Sequence, residues 1–170
     1  MFTLPSKKDI ADALANVAKR VEETVAADWI LLPDFPRSLQ MDDYSCGAQS
    51  AFVVLKYYGK ARSIKNVTRE LGTTCDGTDS GQLRRLFVRR GLKPVVLKKP
   101  TIKSLKKEIN AGHPLIVSVD EDHWATVYGY GQGSIFLVDP ALGRSYLCRH
   151  STKEFRARWD NWAMAVRPGA

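Results

Sequence analysis

The sequence contains no long apolar run and few cysteines. Nowhere do about 18 consecutive apolar residues occur, so no segment is expected to span a membrane. The first residues lack the apolar core of a signal peptide, so export by that route is not expected. The three cysteines, Cys46, Cys75 and Cys148, cannot all pair, and small secreted scaffolds are far richer in cysteine. These absences predict a protein of the reducing cytoplasm.

Motifs for binding metal or nucleic acid are also missing. The cysteines and histidines show no zinc-ligand spacing, so neither a metal nor an organic cofactor is expected. Lysine and arginine outnumber aspartate and glutamate by 26 to 18, which gives a formal charge of +8. A basic surface can attract nucleic acid, anionic lipid or an acidic peptide, but it can equally be a solvated face that keeps a small protein soluble. Without a recognisable motif, no specific nucleic-acid partner is predicted.

The chain is long enough for one compact domain with a hydrophobic core, since 44% of its 170 residues are hydrophobic. Residues 1–38 are predicted to form an N-terminal helix and a connector, and residues 39–170 the main domain. The helix, from Ser6 to Ala27, carries one apolar stripe at helical spacing, formed by Ile10, Leu14, Val17, Val21 and Val25. This stripe can pack on the domain or dock on a partner protein.

Helical patterns precede β-rich segments in the main domain. Helices are predicted from Cys46 to Gly59, Ile64 to Leu71, Gly81 to Arg90 and Thr101 to Asn110, with a short strand at Pro94 to Leu97. Strands are predicted over 115–119, 124–130, 134–138 and 144–148, followed by a helix over 152–159 and an edge strand over 163–166. Helices first and an antiparallel sheet second, around one core, constitute an α+β arrangement.

A cysteine nucleophile is indicated at the start of the first of these helices. A thiol at a helix N-terminus lies close to unpaired backbone N–H groups and to the positive end of the helix dipole, and both favour the thiolate. Cys46 has this position. Gln40, six positions upstream, can supply a side-chain N–H to an oxyanion that forms beside Cys46.

Such a nucleophile needs a base, and His123 has the best position among the three histidines. It begins a strand whose hairpin partner ends at Asp139, with Gly131-Gln132-Gly133 as a tight turn. Folding the hairpin about Gln132 brings position 123 opposite 141 and places Asp139 on the same face, within reach of the imidazole. Asp139 is expected to accept the Nδ1–H of His123 and so to fix the tautomer.

The other histidines and cysteines are given no catalytic part. His113 lies at a turn between a helix and a strand, and His150 lies at a strand end where a surface position is expected. Cys75 in a polar loop and Cys148 in a strand have no matched base. We interpret both thiols as structural or incidental.

These motifs resemble those of the bacteriocin-processing, double-glycine-leader cysteine peptidases and their free-standing relatives in the papain-like group. The family pattern of Gln, then Asp two positions later, then Cys-Gly six positions after the Gln is matched by Gln40, Asp42, Cys46 and Gly47. His123 in a hydrophobic strand and Asp139-Pro140 follow in register, and the resemblance extends over about residues 39–143. It implies a papain-like fold, with N-terminal helices packed against a C-terminal antiparallel sheet.

The resemblance also implies a role for each site residue. Cys46 would be the nucleophile, His123 the base, Asp139 its orienter and Gln40 part of the oxyanion hole. The predicted function is a cytoplasmic cysteine endopeptidase that acts on a peptide or protein substrate. If the family substrate applies, small residues such as Gly-Gly precede the cut. A deamidase or acyltransferase with the same residues, or a catalytically idle peptide-binding adaptor, are the alternatives.

Two features depart from the family pattern. Many members carry Asp immediately before the nucleophile, where this chain has Ser45. The best-known members are also fused to a membrane-spanning, ATP-driven exporter, and this sequence contains no such exporter. Substrate identity is therefore not transferred from the family.

Overall fold

The computed structural model describes residues 29–40, 42–141 and 148–169. Its elements, in chain order, are β1 (Trp29–Leu31), α1 (Cys46–Tyr57), α2 (Ile64–Leu71), α3 (Ser80–Arg89), β2 (Leu92–Val96), α4 (Ile102–Asn110), β3 (Leu115–Val119), β4 (His123–Gly131), β5 (Ser134–Val138), β6 (Cys148–Ser151), α5 (Thr152–Arg158) and β7 (Trp159–Pro168). The helix predicted over 6–27 and most of the strand predicted over 144–148 lie outside the described residues.

The seven strands of the described residues form one antiparallel sheet. Their order is β2-β7-β3-β4-β5-β6, and β1 pairs with the end of β4 that lies beyond β3. Helix α1 packs against both β4 and α2. The predicted α+β arrangement, with helices against an antiparallel sheet, is confirmed. None of the helices in the described residues has the length and apolar character needed to cross a bilayer.

Helix α1 is buried along most of its length. Every residue from Cys46 to Leu55 is buried, and Val53, Val54 and Leu55 are fully covered. A helix that is apolar on all sides belongs in the interior, and burying one valine or leucine side chain stabilises the fold by about 1.5–3 kcal/mol. This packing fixes the start of α1, and therefore Cys46, relative to the sheet.

Strand β7 corrects one prediction. The segment over 163–166 was expected to be an edge strand, but β7 lies inside the sheet between β2 and β3. Ala163, Met164, Ala165 and Val166 are all fully buried. Four consecutive buried residues mean that both faces of the strand are covered, as in a central strand. The edge-strand prediction was wrong because proximity to the chain end does not determine position in a sheet.

The turn of the β4–β5 hairpin is shorter than predicted. It contains two residues, Gln132 and Gly133, whose φ values of 45° and 68° suit the primed turns that match strand twist. Gly131 belongs to β4 and pairs with Ser134. Next to the turn the strands are therefore one residue out of the register expected from the sequence.

A β-bulge restores the predicted register before the strands reach the site. The register shifts between Val127 and Gly129, so that Thr126 pairs with Val138. Continuing that register places position 123 opposite 141. A bulge inserts one unpaired residue and redirects the strand, and here it offsets the shorter turn.

Glycine is required at the bulge because another strand comes close there. A Cβ on Gly129 would clash with the side chain of Leu31 and with the carbonyl oxygen of Ile30. Both residues belong to β1, which pairs with β4 at this point. The glycine therefore lets β1 extend the sheet on that side of β4.

Candidate active site

Cys46 is the first residue of α1, and a tight turn precedes it. The carboxylate of Asp42 accepts hydrogen bonds from the backbone N–H groups of Tyr44 (3.0 Å) and Ser45 (2.7 Å). Burial opposes the charge on Asp42, but its hydrogen bonds to Ser45 and Tyr44 outweigh burial and hold the pKa of the carboxyl below its usual value. Cys46 itself is 7% exposed. The thiol thus lies at a buried helix start whose entry is set by side-chain hydrogen bonds.

His123 lies between a buried carboxylate and the thiol. Its Nε2 is 2.7 Å from Oδ1 of Asp139, which is completely buried at the end of β5. Its second neighbour is Cys46, whose interaction with the ring favours the imidazolium. The nitrogen that faces Asp139 is Nε2, so the Nδ1–H predicted from the sequence was wrong.

The proton of His123 is held more tightly than in a free histidine. Burial disfavours the imidazolium, but the hydrogen bonds to Asp139 and Cys46 and their negative charges favour it. The balance raises the pKa of His123 from 6.5 to about 9. At neutral pH the ring is therefore a cation beside Cys46.

Asp139 is held by several donors. Its Oδ1 also accepts the backbone N–H of Ala141 at 3.1 Å, and its Oδ2 accepts Nη2–H of Arg158 at 3.1 Å. A carboxylate that is buried away from water needs such donors, because an isolated buried charge destabilises the fold by several kcal/mol. Arg158 was not predicted as part of the site, because it lies 19 residues further along the chain.

Gln40 links the two halves of the site. Its backbone N–H donates to the carbonyl oxygen of Pro140 (2.9 Å), next to Asp139. Its side-chain Nε2 donates to the carbonyl oxygen of Asp42 (2.7 Å), in the turn before Cys46. The side chain is buried, and Nε2 carries a second hydrogen that this bond does not use. Donation to an oxyanion stays a prediction.

A cleft of ≈ 370 Å³ opens at Cys46. Its lining includes the aromatic side chains of Tyr44 and Trp124 and three exposed carboxylates, those of Asp43, Asp76 and Asp122. Among the described residues these carboxylates have no hydrogen-bond or ion-pair partner. The sequence did not predict an acidic cleft, because the chain as a whole is basic and the three aspartates are distant from one another in sequence.

The remaining thiols and histidines have other surroundings. Cys75 is exposed and lines the cleft of Cys46, a position that the sequence did not indicate. His113 has a carboxylate partner, Glu108, at 2.9 Å, so it forms a structural pair. His150 Nε2 lies 3.1 Å from Nη1 of Arg158. All three cysteines are free thiols.

Most of the chain matches a known protein family. The model of the Peptidase C39 family matches residues 34–170. Among curated proteins, the chain is similar to the lactococcin-G-processing and transport ATP-binding protein LagD of Lactococcus lactis subsp. lactis, with 27% identity over 77% of this chain and 18% of the relative. A lactococcin-A transport/processing ATP-binding protein, LcnC, of the same organism is 30% identical over 59% of this chain and 14% of its own length. The chain therefore spans less than a fifth of either relative.

Solved structures support the same fold. A double glycine motif protease from an AMS/PCAT transporter, determined with its leader peptide, has a TM-score of 0.67 at 24% identity and covers 78% of this chain and 91% of that one. The peptidase domain of Streptococcus ComA, a bi-functional ABC transporter involved in quorum sensing, has a TM-score of 0.69 at 23% identity, over 79% of this chain and 98% of that one. At this level of identity the likeness establishes the fold, and the papain-like prediction is confirmed.

Proposed function

The chain belongs to the Peptidase C39 family and is a cysteine peptidase, and on that basis we propose that it is an endopeptidase whose nucleophile is Cys46. The observation that carries the assignment of the site is the His123 imidazole, whose Nε2 lies 2.7 Å from Oδ1 of buried Asp139 and whose protonated form is favoured by its interactions with Asp139 and Cys46. A nucleophile, a base and an oriented partner of the base are what thiol hydrolysis requires.

In the proposed first half-reaction, the Cys46 thiolate attacks the carbonyl carbon of the scissile peptide bond. The backbone N–H of Cys46 and the unused side-chain N–H of Gln40 stabilise the negative oxygen. His123 gives its proton to the leaving nitrogen as the C–N bond breaks. The products of this step are a free amine and a thioester on Cys46.

In the second half-reaction, water attacks the thioester. His123, now neutral, takes a proton from that water, and the C–S bond breaks. The carboxylic acid leaves and the thiolate–imidazolium pair forms again. Asp139 stays ionised throughout, because its part is to orient the ring and to stabilise the imidazolium.

We propose small residues, with Gly-Gly as the first candidate, on the acyl side of the cut. The proposal draws on the relative described as a double glycine motif protease and on a closely packed wall of the cleft beside the nucleophile. A Cβ on Gly47 would lie 2.7 Å from Cβ of Thr78 and 3.0 Å from the indole of Trp124. Trp124 Nε1–H donates to the carbonyl oxygen of Thr78 at 2.8 Å, which keeps this wall in place.

A matched pair of peptides tests the proposal. The two peptides differ only at the pair before the cut, Gly-Gly in one and Val-Val in the other, and cleavage is followed by mass spectrometry with wild type and Cys46→Ala. We expect cleavage of the Gly-Gly peptide by wild type alone. Cleavage after a bulky pair would reject the specificity.

Two other outcomes identify the alternative functions. Ammonia release without a cut would indicate a deamidase. Binding of the peptide with no turnover, equal in wild type and Cys46→Ala, would indicate an adaptor. A peptide or protein substrate and a cytoplasmic setting are part of the same proposal, and the three free thiols are consistent with a reducing compartment.

A further inference from the structure

Arg158, the last residue of α5, lies behind the proposed catalytic pair. Its Nη2 donates to Oδ2 of Asp139 at 3.1 Å and to Oδ2 of Asp120 at 2.6 Å, and its Nε donates to both oxygens of Asp120 at 3.0 and 3.1 Å. Hydrogen bonds to Asp120 outweigh the effect of burial and raise the pKa of the guanidinium further above its usual value. One permanent cation therefore joins two carboxylates.

The second carboxylate belongs to the turn that delivers His123. Asp120 and Glu121 connect β3 to β4 and both have left-handed backbones, with φ of 54° and 74°. The backbone N–H of Asp120 donates to the carbonyl oxygen of Arg158 at 2.7 Å. Three residues after Asp120 the chain reaches His123. The same arginine thus holds the turn before His123 through its backbone and side chain, and holds Asp139 through its side chain.

This arrangement meets two physical needs of the site. Asp139 is fully buried, and a buried carboxylate stays ionised only beside positive charge and hydrogen-bond donors. The distance between His123 and Asp139 also has to stay constant. That distance depends on the start of β4 and the end of β5, which are held by different turns. A guanidinium is planar and offers a fork of donors, so it can contact two carboxylates at fixed angles. A lysine ammonium offers one point charge on a flexible stem.

We propose that Arg158 is a positioning residue for the peptidase reaction, which holds Asp139 ionised and fixes it relative to His123. This inference rests on the function proposed for Cys46, His123 and Asp139. It assigns Arg158 no contact with substrate. Its effect on the reaction passes through Asp139 to the imidazole.

The test measures the rate at which iodoacetamide alkylates Cys46 as a function of pH. After proteolytic digestion of the protein, mass spectrometry quantifies the modified fragment that contains Cys46. The variants are Arg158→Met, Arg158→Lys and, as matched control, Arg156→Met, which removes an exposed arginine from the same helix. The reaction requires the thiolate, so it reports the ion pair without any peptide substrate. Thermal unfolding of each variant is followed in parallel.

We expect Arg158→Met to slow alkylation at pH 6 about tenfold, the effect of losing one hydrogen bond to a charged group. The acid limb of the profile should move to higher pH, because without the cation Asp139 is protonated more easily and no longer supports the imidazolium. In Arg158→Lys the positive charge remains, so the acid limb should lie at the wild-type pH. The alkylation rate should be only partly restored relative to Arg158→Met. Arg156→Met should match wild type.

A purely structural ion pair would lower the unfolding temperature and leave the pH profile in place, and that result in Arg158→Met would overturn the proposal. If Arg158→Met does not fold, Arg158→Lys is decisive, and a wild-type rate in it would overturn the role of the guanidinium fork. Fast alkylation of wild type without peptide cleavage would instead reject the proposed substrate and leave the role of Arg158 standing. The two failures are therefore distinguishable.

Discussion

The proton on His123 is held by two neighbours of different kinds, a buried carboxylate and a thiol. Three of the groups that contact Asp139 are donors, namely Nε2 of His123, the backbone N–H of Ala141 and Nη2 of Arg158. A carboxylate can accept from all three. An asparagine has one acceptor oxygen and presents an NH₂ group to the remaining donor. The isosteric change is therefore disruptive at this position.

Substitutions at the site should separate reaction from orientation. We expect Cys46→Ala and His123→Ala each to lower kcat by a factor on the order of 10⁴ or more, because neither remaining group can form or break the thioester alone. Asp139→Asn should cost about 100-fold, because it loses a hydrogen bond to a charged group and also turns an NH₂ group toward a donor. Steady-state kinetics on a cleaved peptide measures the effect, and unfolding curves check the fold. Retained turnover in Cys46→Ala would remove this residue from the mechanism.

The pH dependence of turnover should follow His123. Its pKa is raised from 6.5 to about 9, so the folded state binds this proton more tightly than the unfolded chain does. The resulting stabilisation is complete below pH 6.5 and is lost as pH rises through 9. We expect kcat/KM to fall above pH 9, where the ring can no longer protonate the leaving amine.

Asp139→Asn provides the control for that assignment. Removing the negative charge favours the neutral ring, so the alkaline limb should move to lower pH. A limb that stays in place in this variant would assign it to another group.

At the scale of single residues, the sequence predicted both the residue types of the site and their proximity in the fold. The spacing of Gln40 and Cys46 and the hairpin between His123 and Asp139 bring the four residues into one region, as the two hydrogen bonds of Gln40 and the His123–Asp139 contact show. It could not predict which imidazole nitrogen faces Asp139, because the rotamer of the His123 side chain is not specified by the sequence pattern. Arg158 was missed because its contacts join segments that are distant in sequence.

Among the elements, α1 and the loop over 72–79 together form one wall of the cleft. Gly47 lies in the first turn of α1, where Gly→Ala ordinarily stabilises a helix by about 1 kcal/mol. Here the added Cβ would lie 2.7 Å from Cβ of Thr78. Overpacking costs about 1–3 kcal/mol, so the clash outweighs the gain in helix propensity.

We therefore expect Gly47→Ala to destabilise the protein and to displace the Thr78 wall beside Cys46. Peptide cleavage should fall, with KM rising more than kcat falls. Gly81→Ala is the matched control, since its added Cβ would meet the ends of the Asp79 and Arg85 side chains. Denaturant unfolding and steady-state kinetics measure both changes. Equal stability in the two variants would contradict the packing argument.

The secondary-structure elements also show which features of the fold a sequence pattern can predict and which it cannot. Helix caps were predictable, and Thr101 forms a capping box with Ser104 at the start of α4. The order of the strands in the sheet was not predictable. Strand β7 lies in the middle of the sheet because it pairs with β2 and β3, which are distant from it in the chain. The bulge between Val127 and Gly129 was equally invisible, since it depends on the approach of β1.

At the scale of the whole molecule, the charge of the cleft is opposite to that of the chain. The sequence carries a formal charge of +8, whereas the cleft at Cys46 is lined by the carboxylates of Asp43, Asp76 and Asp122. A basic protein with an acidic cleft repels a cationic peptide at long range and attracts it at short range. Salt screens charges beyond about 10 Å at 0.1 M ionic strength and acts less on close pairs.

This separation of charge predicts a preference for a basic residue close to the scissile bond. Of two Gly-Gly peptides that differ by one neighbouring Lys or Glu, we expect the Lys peptide to have the lower KM, by about two- to fivefold per exposed charge pair. Asp76→Asn should reduce that ratio and leave kcat unchanged, because Asp76 lines the cleft without contacting the catalytic residues. Asp34→Asn, an equal change of charge at an exposed residue that does not line the cleft, should leave the ratio intact. Equal KM values for the two peptides in wild type would show that the cleft carboxylates do not contact the substrate.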